Sequence, residues 1–169
     1  MLIVAASFLL AASVAGAAAP TKPSDAAVTV LDLRVVRRDG TIVPLHDVTE
    51  SAPTIVAFWA SYCAPCRAEV PALNRAIDRW RSDGVRVLGV AVETDGGRVR
   101  EAHDAWGMRY EALHLAPGEE AAVERLLPRG LPTTAFVAHG GLLLYQHFVD
   151  DEALDRLVPP LLHGGAKTR

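Results

Sequence analysis

The chain is poor in cysteine: of its 169 residues only Cys63 and Cys66 carry a thiol. A disulfide framework spread over several loops is thereby excluded, and a chain of this length buries enough apolar surface to fold without one. No further cysteine is present to complete a tetrahedral metal site, and the histidines at 46, 103, 114, 139, 147 and 163 show no zinc-ligand spacing. No metal is expected, so the pair is free for redox chemistry. Blocks of like charge are also missing. With 17 Lys and Arg against 20 Asp and Glu the formal net charge is −3, which argues against a nucleic-acid partner. Even Arg75, Arg79 and Arg81 share their stretch with Asp78 and Asp83 and read as a solvated helix face. No internal repeat divides the chain.

Charge is absent altogether from residues 1–21, and residues 2–19 are continuously apolar or small. Residues 1–19 therefore read as a signal peptide or N-terminal membrane anchor, 20–27 as a linker, 28–162 as the folded domain and 163–169 as a tail. Ala15-Gly16-Ala17 offers a cleavage site, although no Lys or Arg precedes the apolar stretch as a signal peptide would have it. About 18 apolar residues just suffice to span a bilayer, but the alanine and serine content is weakly apolar for an anchor. On either account the domain is exported, to the periplasm or the outer face of the cytoplasmic membrane, and touches membrane only through this segment. No cysteine follows the leader, which excludes attachment of a lipid there.

What is present is a regular alternation of short apolar runs and helical periodicities. Val28 to Val36, the turn Arg37-Arg38-Asp39-Gly40 and Thr41 to Leu45 predict a hairpin. Ile55 to Trp59 is a continuous apolar run, the mark of a central strand covered on both faces. Val70, Leu73, Ile77 and Trp80 recur at helical spacing and predict a helix from Cys63 to about Asp83, stopped by Gly84 and kinked at Pro71. A strand over Val85 to Val92, a helix capped near Asp95 and ending at Gly107, a brief strand at Leu113 to Leu115, and a short helix with Val123, Leu126 and Leu127 follow. Thr133 to Ala138 and Leu142 to Val149 predict a second hairpin about His139-Gly140-Gly141, and a last helix starts near Asp151. This order implies an α/β fold, a mixed central sheet with helices on both faces.

The cysteines stand where the first long helix begins. Unpaired backbone N–H groups and the positive end of the helix dipole stabilise an anion there, so Cys63 ionises more readily than a free thiol. Three residues on, Cys66 lies on the same helix face within disulfide reach. The pair can cycle between dithiol and disulfide without moving the fold.

Phe58-Trp59-Ala60-Ser61-Tyr62-Cys63-Ala64-Pro65-Cys66-Arg67, with Pro71 five positions after the second cysteine, resembles the active-site segment of the thioredoxin superfamily. Gly130-Leu131-Pro132-Thr133-Thr134 resembles the segment that carries that superfamily's cis-proline. With the leader, the N-terminal hairpin and Arg67-Ala68-Glu69-Val70-Pro71, the resemblance is to the TlpA/ResA-type group of exported thiol-disulfide oxidoreductases, over about residues 28–162. It implies a thioredoxin-like fold, no cofactor, a monomer, and exchange with cysteine pairs of protein substrates, with apocytochrome c a notable one. A membrane electron donor of the DsbD/CcdA kind is the implied second partner. Cys63 is then the attacking thiolate and Cys66 the resolving thiol. Trp59, Tyr62, Ala64 and Pro65 beside the cysteines, and Leu131 with Pro132, are the implied substrate contacts. Thioredoxins keep a buried aspartate six positions before the first cysteine; Ala57 stands there, and Glu93 is the candidate catalytic carboxylate in its place. The resemblance implies reduction as the direction, with a disulfide-forming oxidase as the alternative and a Cu(I)-binding metallochaperone as the rival from another class.

Overall fold

The computed structural model describes residues 29–138 and 141–162. The leader, linker and tail, and His139-Gly140 of the second hairpin, lie outside the described residues. Thr29 caps a 3-10 turn over Val30–Asp32; β1 (Arg34–Val36) and β2 (Ile42–Pro44) then pair antiparallel about Gly40, whose φ of +87° suits the turn. The strand expected to start at Val28 starts late for a local reason. Asp32 accepts from Thr29 N at 2.7 Å and Thr29 Oγ1 accepts from Leu31 N at 3.2 Å, which ties the backbone into a turn before it can join a ladder. A short helix absent from the sequence reading, α1 (Leu45–Thr49), follows β2 and buries Leu45 and Val48.

The rest of the chain runs β3 (Thr54–Trp59), α2 (Ala64–Arg79), β4 (Arg86–Ala91), α3 (Gly96–Ala105), β5 (Glu111–Leu115), α4 (Glu120–Leu126), β6 (Thr133–Ala138), β7 (Gly141–Gln146), α5 (Asp151–Leu157) and α6 (Pro159–Leu162). The sheet order is β2-β1-β5-β4-β3-β6-β7, with β3, β4 and β5 parallel and the outer pairings antiparallel. α2 stops four residues earlier than its periodicity suggested. Trp80 takes the C-cap position, Val85 N returns to Trp80 O at 3.2 Å, and Gly84 turns the chain at φ +75°. Pro71 sits inside α2 on its exposed side.

Alternation along β3 divides the core. Ile55, Ala57 and Trp59 face one apolar cluster with α2, α3, α5 and α6, while Val56 and Phe58 face another with α1, α4 and β1. Every β3 side chain is buried, as a central strand requires. Burying each large side chain stabilises the fold by about 1.5–3 kcal/mol relative to leaving it exposed. The C-terminal ends of β3 and β4 open on one edge of the sheet, and the cysteines start α2 at that edge.

Candidate active site

β3 ends at Trp59, and the next four residues turn the chain into α2 with Cys63 as its N-cap. Cys63 N donates to Ala60 O at 2.9 Å, closing the turn, and Cys66 N donates to Cys63 Sγ at 3.2 Å. The sulfur thus occupies the cap position that oxygen side chains usually fill, where a thiolate would gain most from the helix N–H groups. Cys63 and Cys66 form a disulfide with Cα atoms 5.3 Å apart. Both are buried, Cys63 at 7 % exposure and Cys66 at 3 %, so Cys63 is the more exposed residue of the pair.

One turn beyond Cys66, Glu69 carries a carboxylate that is 2 % exposed and lies on the buried stripe of α2 with Cys66, Val70 and Leu73. Its Oε1 accepts from Val149 N at 2.6 Å, which holds the segment between β7 and α5. Burial pushes its pKa up to about 7, against the opposing pull of that hydrogen bond. Tyr110, also buried, is raised as well, by burial first and then by the charge of Glu69. The sequence reading passed over Glu69. Its signal was an acidic residue three places after Cys66 in a stripe otherwise apolar.

The other predicted residues separate into three groups. Glu93, just beyond β4, is half-buried, and its two oxygens accept from Ser61 N at 2.6 Å and Ser61 Oγ at 2.8 Å; its hydrogen bonds go to the turn before Cys63 and to neither sulfur. Ala57, in the position of the missing aspartate, is buried in the same cluster as both cysteines. Trp59, expected to contact substrate, is 2 % exposed and packs on Trp106 at 5.2 Å between ring centroids, so it belongs to the core. A β-strand ending against a helix layer has no solvent face, and that overrides nearness in sequence to the motif. Tyr62, 73 % exposed, with Ala64 and Pro65, surrounds the sulfurs at the surface. The peptide bond Leu131–Pro132 is cis; Pro132 is buried and Leu131 half-buried. Beside Cys63 opens a cleft of about 520 Å³ lined by Tyr62, Val92, Val123, Leu127 and Leu131, with Glu124 its one charged lining residue. The contribution of α4 to this cleft was not anticipated. His103 Nε2 lies 2.9 Å from Tyr110 O, which ties α3 to the start of β5.

A model of the AhpC/TSA family matches residues 26–128. The chain belongs to the AhpC/TSA family. This AhpC/TSA chain is 27 % identical over 103 residues to the thiol-disulfide oxidoreductase ResA of Oceanobacillus iheyensis, covering 61 % of this chain and 52 % of the relative. It is 28 % identical over 122 residues to the thiol:disulfide interchange protein HelX of Rhodobacter capsulatus, covering 71 % of this chain and 66 % of the relative. The matches therefore span about half to two thirds of those relatives. Among solved structures, a thiol:disulfide interchange protein of the thioredoxin family from Chlorobium tepidum TLS superposes with a TM-score of 0.61 at 25 % identity, over 82 % of this chain and 99 % of that one. The fold of this AhpC/TSA member is thioredoxin-like.

Proposed function

We propose that this chain is an exported thiol-disulfide oxidoreductase that passes two electrons between Cys63/Cys66 and cysteines of other exported proteins, acting as a reductant. The observation that carries it is the placement of Cys63 as the N-cap of α2, with its sulfur on the Cys66 amide and Cys66 in disulfide contact behind it. In the reduced protein the Cys63 thiolate attacks a substrate disulfide and expels one substrate thiolate. Cys66, deprotonated in turn, attacks the mixed disulfide at Cys63 and expels the second. The substrate has then gained two electrons and two protons, and the enzyme holds the Cys63–Cys66 disulfide. Glu69 suits the receiver of the Cys66 proton, being one turn away with a pKa near neutrality. Glu93 is a positioning residue that fixes the Ser61 turn ahead of Cys63. Tyr62, Ala64, Pro65, Leu131 and Pro132 frame the surface on which a substrate segment lies.

The finer reading is reduction of apocytochrome c before haem attachment, with re-reduction by a membrane protein of the DsbD/CcdA kind. It is supported by the resemblance to the TlpA/ResA-type group and by the uncharged apolar leader. Equilibration of the domain with glutathione buffers tests direction. A potential near about −270 mV fits a reductant, and one near about −120 mV transfers the function to disulfide formation. Alkylation of the reduced protein tests the activity itself: Cys63 should react faster at neutral pH than a free cysteine, and a rate no higher than that refutes it.

A further inference from the structure

Alongside β5 and under α3 runs a groove of about 330 Å³ whose lining includes four arginines, Arg37, Arg38, Arg100 and Arg109, beside His103 and His114. Its two acids are already engaged. Asp104 lies 3.0 Å from His103 Nδ1, and Glu111 faces Arg86 at 3.8 Å. Arg109 is satisfied by hydrogen bonds of 2.7 and 2.8 Å to Asp78, which is not part of the lining. Arg37, Arg38 and Arg100 make no ion pair among the described residues; Asp39 and Asp95 act on Arg37 and Arg100 without salt-bridge contact. In a chain whose formal charge is −3 this is a local reversal of sign.

The floor of the groove is kept open by Gly96. A Cβ there would stand 2.7 Å from His114 Nε2 and 3.3 Å from Arg100 Nη1, so both side chains close over the bare backbone. The start of α3 offers little to a small anion, since Asp95 already accepts from Gly97 N and Arg98 N at 2.9 and 3.2 Å. The positive charge comes from side chains on separate elements, Arg37 and Arg38 at the β1–β2 turn and Arg100 on α3. Cations set on separate elements suit the several carboxylates of a peptide segment better than one small anion.

We infer that the groove between α3, β5 and the β1–β2 turn docks an acidic, extended segment of a partner protein, whose carboxylates meet Arg37, Arg38 and Arg100. The rival anionic occupant is a nucleic-acid strand, against which the chain's formal charge of −3 argues. The His114 end of the groove lies on the sheet edge that carries Cys63: His114 is in register with Ala91, and Ala91 with Trp59. One end of the groove thus lies at the end of the sheet from which the cysteine-bearing helix starts, although docking depends on no thiol chemistry.

Fluorescence anisotropy of the full chain with a labelled octaglutamate peptide, and with an oligodeoxythymidylate of equal charge, tests this directly. The peptide should bind saturably at low ionic strength, release as salt shortens the screening length, and bind more tightly than the oligonucleotide. Combined Arg38→Glu and Arg100→Glu, both at exposed positions, should weaken the peptide about tenfold or more. Arg125→Glu, on α4 outside the groove, should leave it unchanged. Arg38→Gln with Arg100→Gln serves if the reversed charges disturb folding. No peptide binding, undiminished binding by the folded arginine variants, or an oligonucleotide bound as tightly as the peptide overturns the inference.

Discussion

Glu69→Gln separates the charge of a buried carboxyl from its shape. In the folded protein the group titrates near 7, and when unfolded near its ordinary 4.5. The folded state therefore binds the extra proton between those values, and stability must rise as pH falls through that window. From pH 8 to pH 5 the folded carboxyl goes from almost fully ionised to almost fully protonated, while the unfolded one stays mostly ionised. The linkage relation gives a gain of about 2–3 kcal/mol over that interval for the unsubstituted protein. Glutamine keeps an oxygen for Val149 N, 2.6 Å from Glu69 Oε1, and has nothing to titrate. Any cost of burying the amide NH2 group is the same at both pH values. Urea unfolding of the oxidised protein and of the variant, each at pH 5 and pH 8, reads the difference of differences. The variant should gain on its parent by about 2–3 kcal/mol at pH 8 relative to pH 5. Parallel stability curves for the two proteins would show that Glu69 is not held up in pKa, and its role as proton receiver would fall with it.

Glu93→Gln should lower stability by about 1–2 kcal/mol, through weaker bonds to Ser61. As a positioning residue it should slow thiol exchange without changing the shape of the pH–rate profile; loss of a limb from that profile would make it a proton carrier. Gly89→Ala brings a Cβ to 3.0 Å from Trp59 Nε1 and 3.1 Å from Tyr110 Cε2, both buried, and should cost about 1–3 kcal/mol and alter tryptophan fluorescence. An unchanged melting temperature would refute the close packing of Trp59 on β4.

The central elements were legible because their signals are strong and local. Ile55 to Trp59 reads as a two-faced strand without a structure, and Asp95 caps α3 where the Thr94-Asp95-Gly96 pattern placed a cap. α1 was not legible, since five residues after a proline carry too little periodicity to register. Trp59 was placed near the cysteines correctly and facing the wrong way, because nearness along the chain does not say which layer covers a strand end.

Sequence alone determined the chemistry available to this protein: two cysteines three apart at the start of a helix, following a buried strand, with no other thiol to pair with them. That much follows from helix geometry, which is the same in any fold. Which carboxylate is buried and raised in pKa was decided by tertiary structure, because burial and hydrogen-bond partners come from elements far apart in the chain. Glu69 owes its shifted pKa to the core closed over it and its partner to Val149, 80 residues away, whereas Glu93 is taken up by Ser61, 32 residues before it.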